Sequence, residues 1–122
     1  MLNLKYKIND LGKSAKTSGN SFKVIVINKR NNKRLTFIFH DNYLNESTGQ
    51  AMLMSRFSDA YAYESTLNIN DFYETYYGKI SSFEEALNIE RAYKECKKAL
   101  KDFKRVFNEE ELNELNKEWE NY

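Results

Sequence analysis

Residues 81–107 read SSFEEALNIERAYKECKKALKDFKRVF, and Ala86, Ile89, Tyr93, Cys96, Leu100, Phe103 and Phe107 recur in them at intervals of three and four. A sustained 3.5-residue repeat is the seam of paired helices. Ser81 followed by Glu84, or Ser82 followed by Glu85, supplies a capping box just ahead of it. The stretch therefore predicts one long helix of roughly 23 residues, about 35 Å at 1.5 Å per residue. A small sheet covers only part of such a seam, so the spacing predicts that some of it packs across a homo-oligomer interface. Packing on the sheet and the last helix of the same chain is the alternative.

Outward from this helix the pattern changes twice. After it, Leu112, Leu115, Trp119 and Tyr122 form a stripe on a final acidic helix. Before it, Leu53, Phe57, Ala60 and Tyr61 mark a helix over residues 50–64, and DFYETYY forms a short one with Asn70 as its cap and Gly78 as its stop. Further upstream the period falls to two. Leu2, Leu4, Tyr6 and Ile8 alternate with Asn3, Lys5 and Lys7, as in a half-buried strand. Phe22–Ile27 and Leu35–Phe39 read as two more strands, and Asn31-Asn32 offers the positive φ values of a tight turn between them. The fold class is α+β: an N-terminal three-stranded antiparallel sheet (residues 1–40), then three to four helices (41–122), in a single domain.

At 122 residues, 41% hydrophobic and 15% aromatic, the chain is able to bury a core. Its 19 Lys+Arg and 18 Asp+Glu leave a net charge of +1, unlike a strongly basic nucleic-acid binder or an acidic DNA mimic. The charge is segregated: residues 1–40 carry nine cations and one anion, while 107–122 carry one cation and six anions. No apolar run approaches the ~20 residues of a membrane span, and MLNLKYKIND has no signal-peptide core. One cysteine and one histidine exclude a disulfide framework and a Cys/His zinc site. These features predict an intracellular protein with no cofactor, metal or membrane partner.

Catalytic signals are thin. His40 ends a strand beside Asp41, but no serine or cysteine elbow accompanies it, and Cys96 sits on the apolar seam as a small hydrophobe. The loop GKSAKTSG lacks the spacing of a phosphate-binding Walker loop. Binding signals are richer. Lysine is the default cation, so the five arginines stand out as sites where a guanidinium fork is wanted. Arg56 beside Phe57, Tyr77 at the end of the short helix, Phe83, Asn88 and Arg91 at the start of the long one, and Arg105 at its far end supply flat faces, an amide and cations. That set suits a small anionic ligand such as a nucleotide.

Phe39-His40-Asp41, then Asp59-Ala60, an aromatic segment from Phe72 closing on Gly78, Ala92-Tyr93 with Cys96, Phe107 and the acidic Glu109–Leu115 follow one another in the chain. In this order they resemble the anti-Thoeris sponge family of small phage and prophage proteins, over nearly the whole chain from about Phe22. The chain departs from the pattern at Tyr76-Tyr77-Gly78-Lys79, where Gly-Tyr-Asp is usual. The resemblance implies a homodimer or higher homo-oligomer in the host bacterial cytoplasm that sequesters a cyclic ADP-ribose isomer without cleaving it. The same resemblance implies that the chain is not an enzyme. The expected pocket lies where subunits meet: Phe83 or a neighbouring tyrosine such as Tyr77 stacks on adenine, Asn88 reads a polar edge, and Arg56 and Arg105, with Arg91 nearby, meet the diphosphate. Two other readings stay open. One is an anti-CRISPR-like inhibitor that binds a defence nuclease through the basic hairpin at Arg30, Lys33 and Arg34 or through the acidic tail. The other is a small DNA-binding regulator using the basic strands, although no helix-turn-helix signature is present.

Overall fold

The computed structural model describes residues 2–16, 19–41, 48–78 and 81–121; Lys79 and Tyr122 of the patterns above lie outside them. Strands β1 (Leu4–Lys13), β2 (Asn20–Asn28) and β3 (Arg34–Asp41) form an antiparallel sheet in the order β1-β2-β3. Helices α1 (Thr48–Glu64), α2 (Ile69–Tyr76), α3 (Phe83–Val106) and α4 (Glu109–Glu120) follow.

The period-two pattern sets the sheet's two faces. Val26 lies between Tyr6 and Leu35, Val24 between Ile8 and Phe37, and Phe22 between Asp10 and Phe39. This face carries the core, where Val24, Val26 and Leu35 pack with Leu53, Met54 and Phe57 of α1 and Phe103 and Val106 of α3. On the other face Ile25 is flanked by Lys7 and Thr36, and Ile27 by Lys5 and Arg34. Both isoleucines are buried, and the stems of such long cations cover apolar neighbours while their charges stay in water. In the β2–β3 turn only Asn32 takes a positive φ, 63°. Asn31 instead donates its amide to the Val106 carbonyl (2.9 Å) and accepts from the Lys33 N–H (2.9 Å).

Part of the α3 seam is covered within the chain: Ile89, Cys96 and Phe103 are buried, while Ala86, Tyr93 and Leu100 stay partly exposed. Ile89 and Cys96 pack on Phe72 of α2, and Phe103 packs on α1 with its ring 5.5 Å from that of Phe57. The covering surface is α1, whose helical stripe of Leu53, Phe57 and Ala60 faces α3 more extensively than the sheet does. Phe107, expected inside the long helix, is its C-cap with extended backbone (φ −119°, ψ 143°) and stays buried. Neither expected capping box is complete. Ser82 is the N-cap of α3 and its Oγ accepts from the Glu85 N–H (3.1 Å), but the Glu85 carboxylate reaches back to Ser81, from whose N–H and hydroxyl it accepts, and not to Ser82. The cap of α2 is Asn68, not Asn70. Its side chain accepts from the Asp71 N–H (3.0 Å), while Asp71 accepts from the Leu67 N–H (2.8 Å), a reciprocal pair unavailable two residues later.

One polar knot fastens the sheet to the end of the chain. Asn28 is fully buried and donates to both the Val106 carbonyl (3.0 Å) and Glu111 Oε2 (3.0 Å). Arg30 donates to Glu111 Oε1 from Nε (3.1 Å) and Nη2 (2.8 Å), and Glu111 completes a capping box with Asn108. Asn28 and Asn31 thereby satisfy the Val106 carbonyl left open at the C-terminus of α3, and α4 starts in a fixed direction.

Candidate functional site

The residues expected to bind ligand fall in three places. Arg56 is on α1 with its side chain 21% exposed, between Asp59 (3.5 Å) and Glu95 (3.7 Å). It borders a shallow hollow of about 310 Å³ that both carboxylates also line, so an anion there meets two negative charges. Phe83 opens α3 and is 80% exposed; Asn88 and Arg91 are exposed one and two turns further on. Tyr77 caps the end of α2 with its ring 5.7 Å from that of Phe72. Arg105 is exposed at the other end of α3 and donates to the Arg34 carbonyl (3.1 Å). One unbroken helix separates Phe83 from Arg105, about 33 Å along its axis at 1.5 Å per residue. A single chain cannot put both on one small ligand, so the expected set could close only between copies.

The basic hairpin is likewise not all free surface. Arg30 is committed to Glu111, leaving Lys33 and Arg34 as its outward cations. His40 is held by two hydroxyls, Ser14 Oγ at 2.8 Å and Ser21 Oγ at 2.9 Å, both on Nδ1. One ring nitrogen shared by two serines at adjoining strand ends fastens the sheet margin. Sequence reading missed this arrangement because Ser14 and Ser21 reach the histidine only through the strand register.

A larger concavity lies elsewhere. A groove of about 650 Å³ runs between α1, α3 and α4, within the range of small-ligand sites. Phe57, Ala60, Phe103, Phe107 and Leu112 make its apolar wall; Tyr61, Lys104, Asn113, Asn116, Glu64 and Glu109 stand around it. Tyr61 stacks on Trp119 of α4 (4.8 Å between ring centres), which fixes one side. A second groove of about 550 Å³ lies against α3, with Tyr63 and Leu100 below Lys94, Lys97, Lys98, Lys101 and Lys104. The two grooves share Leu100 and Lys104, so an aromatic cleft with amide side chains opens onto a lysine-rich surface. The arrangement offers the three needs of nucleotide binding: a flat apolar wall, amides at a polar edge and cations for phosphate. None of the expected ligand residues lines these two grooves.

Cys96 is buried on the far side of α3 from the lysines. Burial pushes its thiol up to about 11, with Asp59 and Glu95 adding to the rise and Arg56 opposing it. The thiol is therefore protonated near neutral pH and a poor nucleophile. Among the described residues no group of three or more His, Cys, Asp or Glu could hold a metal ion, and no helix is long and apolar enough to cross a membrane. No protein-family description, curated protein or solved structure matches the chain.

Proposed function

We propose that this chain binds a nucleotide and holds it intact, acting in a bacterial host as a sponge for a cyclic ADP-ribose-type signal. The observation that carries the reading is the joined pair of grooves, in which an aromatic cleft lined by Asn113 and Asn116 opens onto Lys104 and its lysine neighbours. A base laid against Tyr61 and the apolar wall buries flat surface, and Asn113 presents an exposed amide to its edge. Phosphates meet Lys104, the one cation lining the cleft, and are repelled by Glu64 and Glu109, which favours an orientation that turns them towards the lysine groove. In this reading the ligand is held with no bond broken, which is sequestration.

The test is depletion followed by release. Purified protein is mixed with cyclic ADP-ribose isomers and cyclic oligonucleotides, free ligand is quantified by chromatography, and the protein is heat-denatured and the ligand quantified again. Depletion with recovery of intact ligand is expected. Tyr61→Ala and Lys104→Glu should each weaken it at least about tenfold, the scale of one lost charged hydrogen bond or stacking contact. Loss without recovery would mean turnover, and no depletion would favour the protein-inhibitor reading. Arg56→Ala and Arg105→Ala test the expected placement between copies: if these abolish binding while the groove variants bind normally, the ligand sits at an oligomer interface.

A further inference from the structure

Helix α3 carries seven cations after its second turn: Arg91, Lys94, Lys97, Lys98, Lys101, Lys104 and Arg105. At 3.6 residues per turn all of them fall within an arc of about 140°, and all are exposed. Glu90 is the one acid in that arc, at its N-terminal edge and paired with Lys94 (3.3 Å). Glu95 and Asp102 point outside it, Glu95 towards Arg56. Among the described residues no carboxylate lies within ion-pair distance of Lys97, Lys98, Lys101, Lys104 or Arg105. Arg105 in turn donates to the backbone carbonyl of Arg34, so the positive face runs on to that arginine at the start of β3. The segment's net charge of +2 conceals this, because the acids of α3 occupy its other faces.

The geometry points to the phosphodiester backbone of a single-stranded oligonucleotide as the occupant of this face. The proposal rests on the nucleotide-binding reading and extends it from a single nucleotide to a strand. Lys94, Lys97, Lys101 and Lys104 advance along α3 in steps of three to four residues, about 4.5–6 Å each, with Lys98 beside Lys97, forming a ladder of point charges. From Arg91 to Arg105 the ladder is about 21 Å long, enough for about six nucleotides at the 3.4 Å spacing of a stacked strand. At Leu100 and Lys104 it opens into the aromatic cleft, which is able to take an unstacked base. A cationic track beside a stacking platform is how sequence-tolerant single-strand binders work. An acidic protein segment would satisfy the lysines but leave the cleft unused. A duplex keeps its bases stacked, with none to place there.

The test uses the full chain and fluorescently labelled oligothymidylates of about two to twelve nucleotides, around the site sizes of single-strand-binding folds. Fluorescence anisotropy is read across a salt series. Affinity should rise with length and level off near six nucleotides, and the log–log salt slope should approach about −3.5 for five engaged lysines. Lys97→Glu with Lys101→Glu should lower affinity at least about tenfold and flatten the slope by about 1.4, with circular dichroism unchanged because both side chains are in solvent. Affinity independent of length, or untouched by the charge reversals, overturns the proposal; if cyclic ADP-ribose is still sequestered, the nucleotide reading stands without it. Failure to bind either ligand removes both. Equal binding of poly-glutamate, lost through the same two reversals, would assign the face to an acidic protein instead.

Discussion

Replacing Glu111 by alanine tests whether the buried polar knot holds α4 in place. Its carboxylate is 5% exposed and accepts from Arg30, Asn28 and the Asn108 N–H. Losing half of the Asn108 capping box costs about 1 kcal/mol. Stranding the fully buried Asn28 amide with one remaining acceptor, and Arg30 with none, adds about 1–2 kcal/mol. For a chain of this size each kcal/mol moves Tm by about 3–5 °C, so Glu111→Ala should melt about 10 °C lower. Its neighbour Glu110, exposed one residue away, is the control, with an expected change under about 0.5 kcal/mol. pH supplies an independent reading. Burial pushes the Glu111 carboxyl up, but hydrogen bonds from Arg30, Asn108 and Asn28 outweigh it and leave it below the ordinary carboxylate value. A carboxyl lowered in the folded state stabilises fully above its unfolded value, about 4.3, and loses that contribution as pH falls through the folded one. The parent should therefore lose Tm below about pH 4.5 more steeply than Glu111→Ala. Matching melting temperatures for Glu111→Ala and Glu110→Ala, with parallel pH profiles, would refute the reasoning.

Gly49 is helical and buried against Tyr6, whose ring carbon Cδ1 would lie 2.5 Å from an added Cβ. Gly49→Ala should therefore destabilise by about 1–2 kcal/mol, since overpacking outweighs the helix-propensity gain of about 1 kcal/mol; a rise in the denaturant midpoint would show that Tyr6 moves freely aside. Cys96, with its thiol raised to about 11, should react with a disulfide reagent at pH 8 far more slowly in the folded chain than in denaturant. Comparable rates would place that thiol in solvent.

Period alone gave the sheet and its register: Leu4, Tyr6 and Ile8 share the side of β1 that pairs with Val26 and Val24, but only Leu4 packs on the core, and Tyr6 and Ile8 on this edge strand stay exposed. The 3-4 spacing of α3 likewise gave the buried stripe, but a stripe says only that it must be covered. What cover it has came from α1 and α2, within the chain. Asn28 carried no periodic signal, because its burial depends on two carbonyl and carboxylate partners about 80 residues away. The groove was hidden for the same reason: Phe57, Phe103 and Leu112 meet through helix packing that no local pattern encodes. The lysine face was legible in principle. Counting charge by segment set its cations against acids on other faces, whereas the angle around the helix separates them. Arginine scarcity drew attention to Arg56, which its acidic neighbours had already neutralised.

The knot at Asn28 also orders events during synthesis. Its partners Val106 and Glu111 follow 78 and 83 residues later, and Leu2 donates to Glu114 across 112 residues. At roughly 5–20 residues per second, the ribosome makes β2 about 4–16 s before those acceptors exist. Until then the apolar face of the nascent sheet has only α1 to close over it, without α3, and the Asn28 amide must bond to water. The first part of the chain to be made is thus the last to be completed, and the waiting strands are where a chaperone would bind.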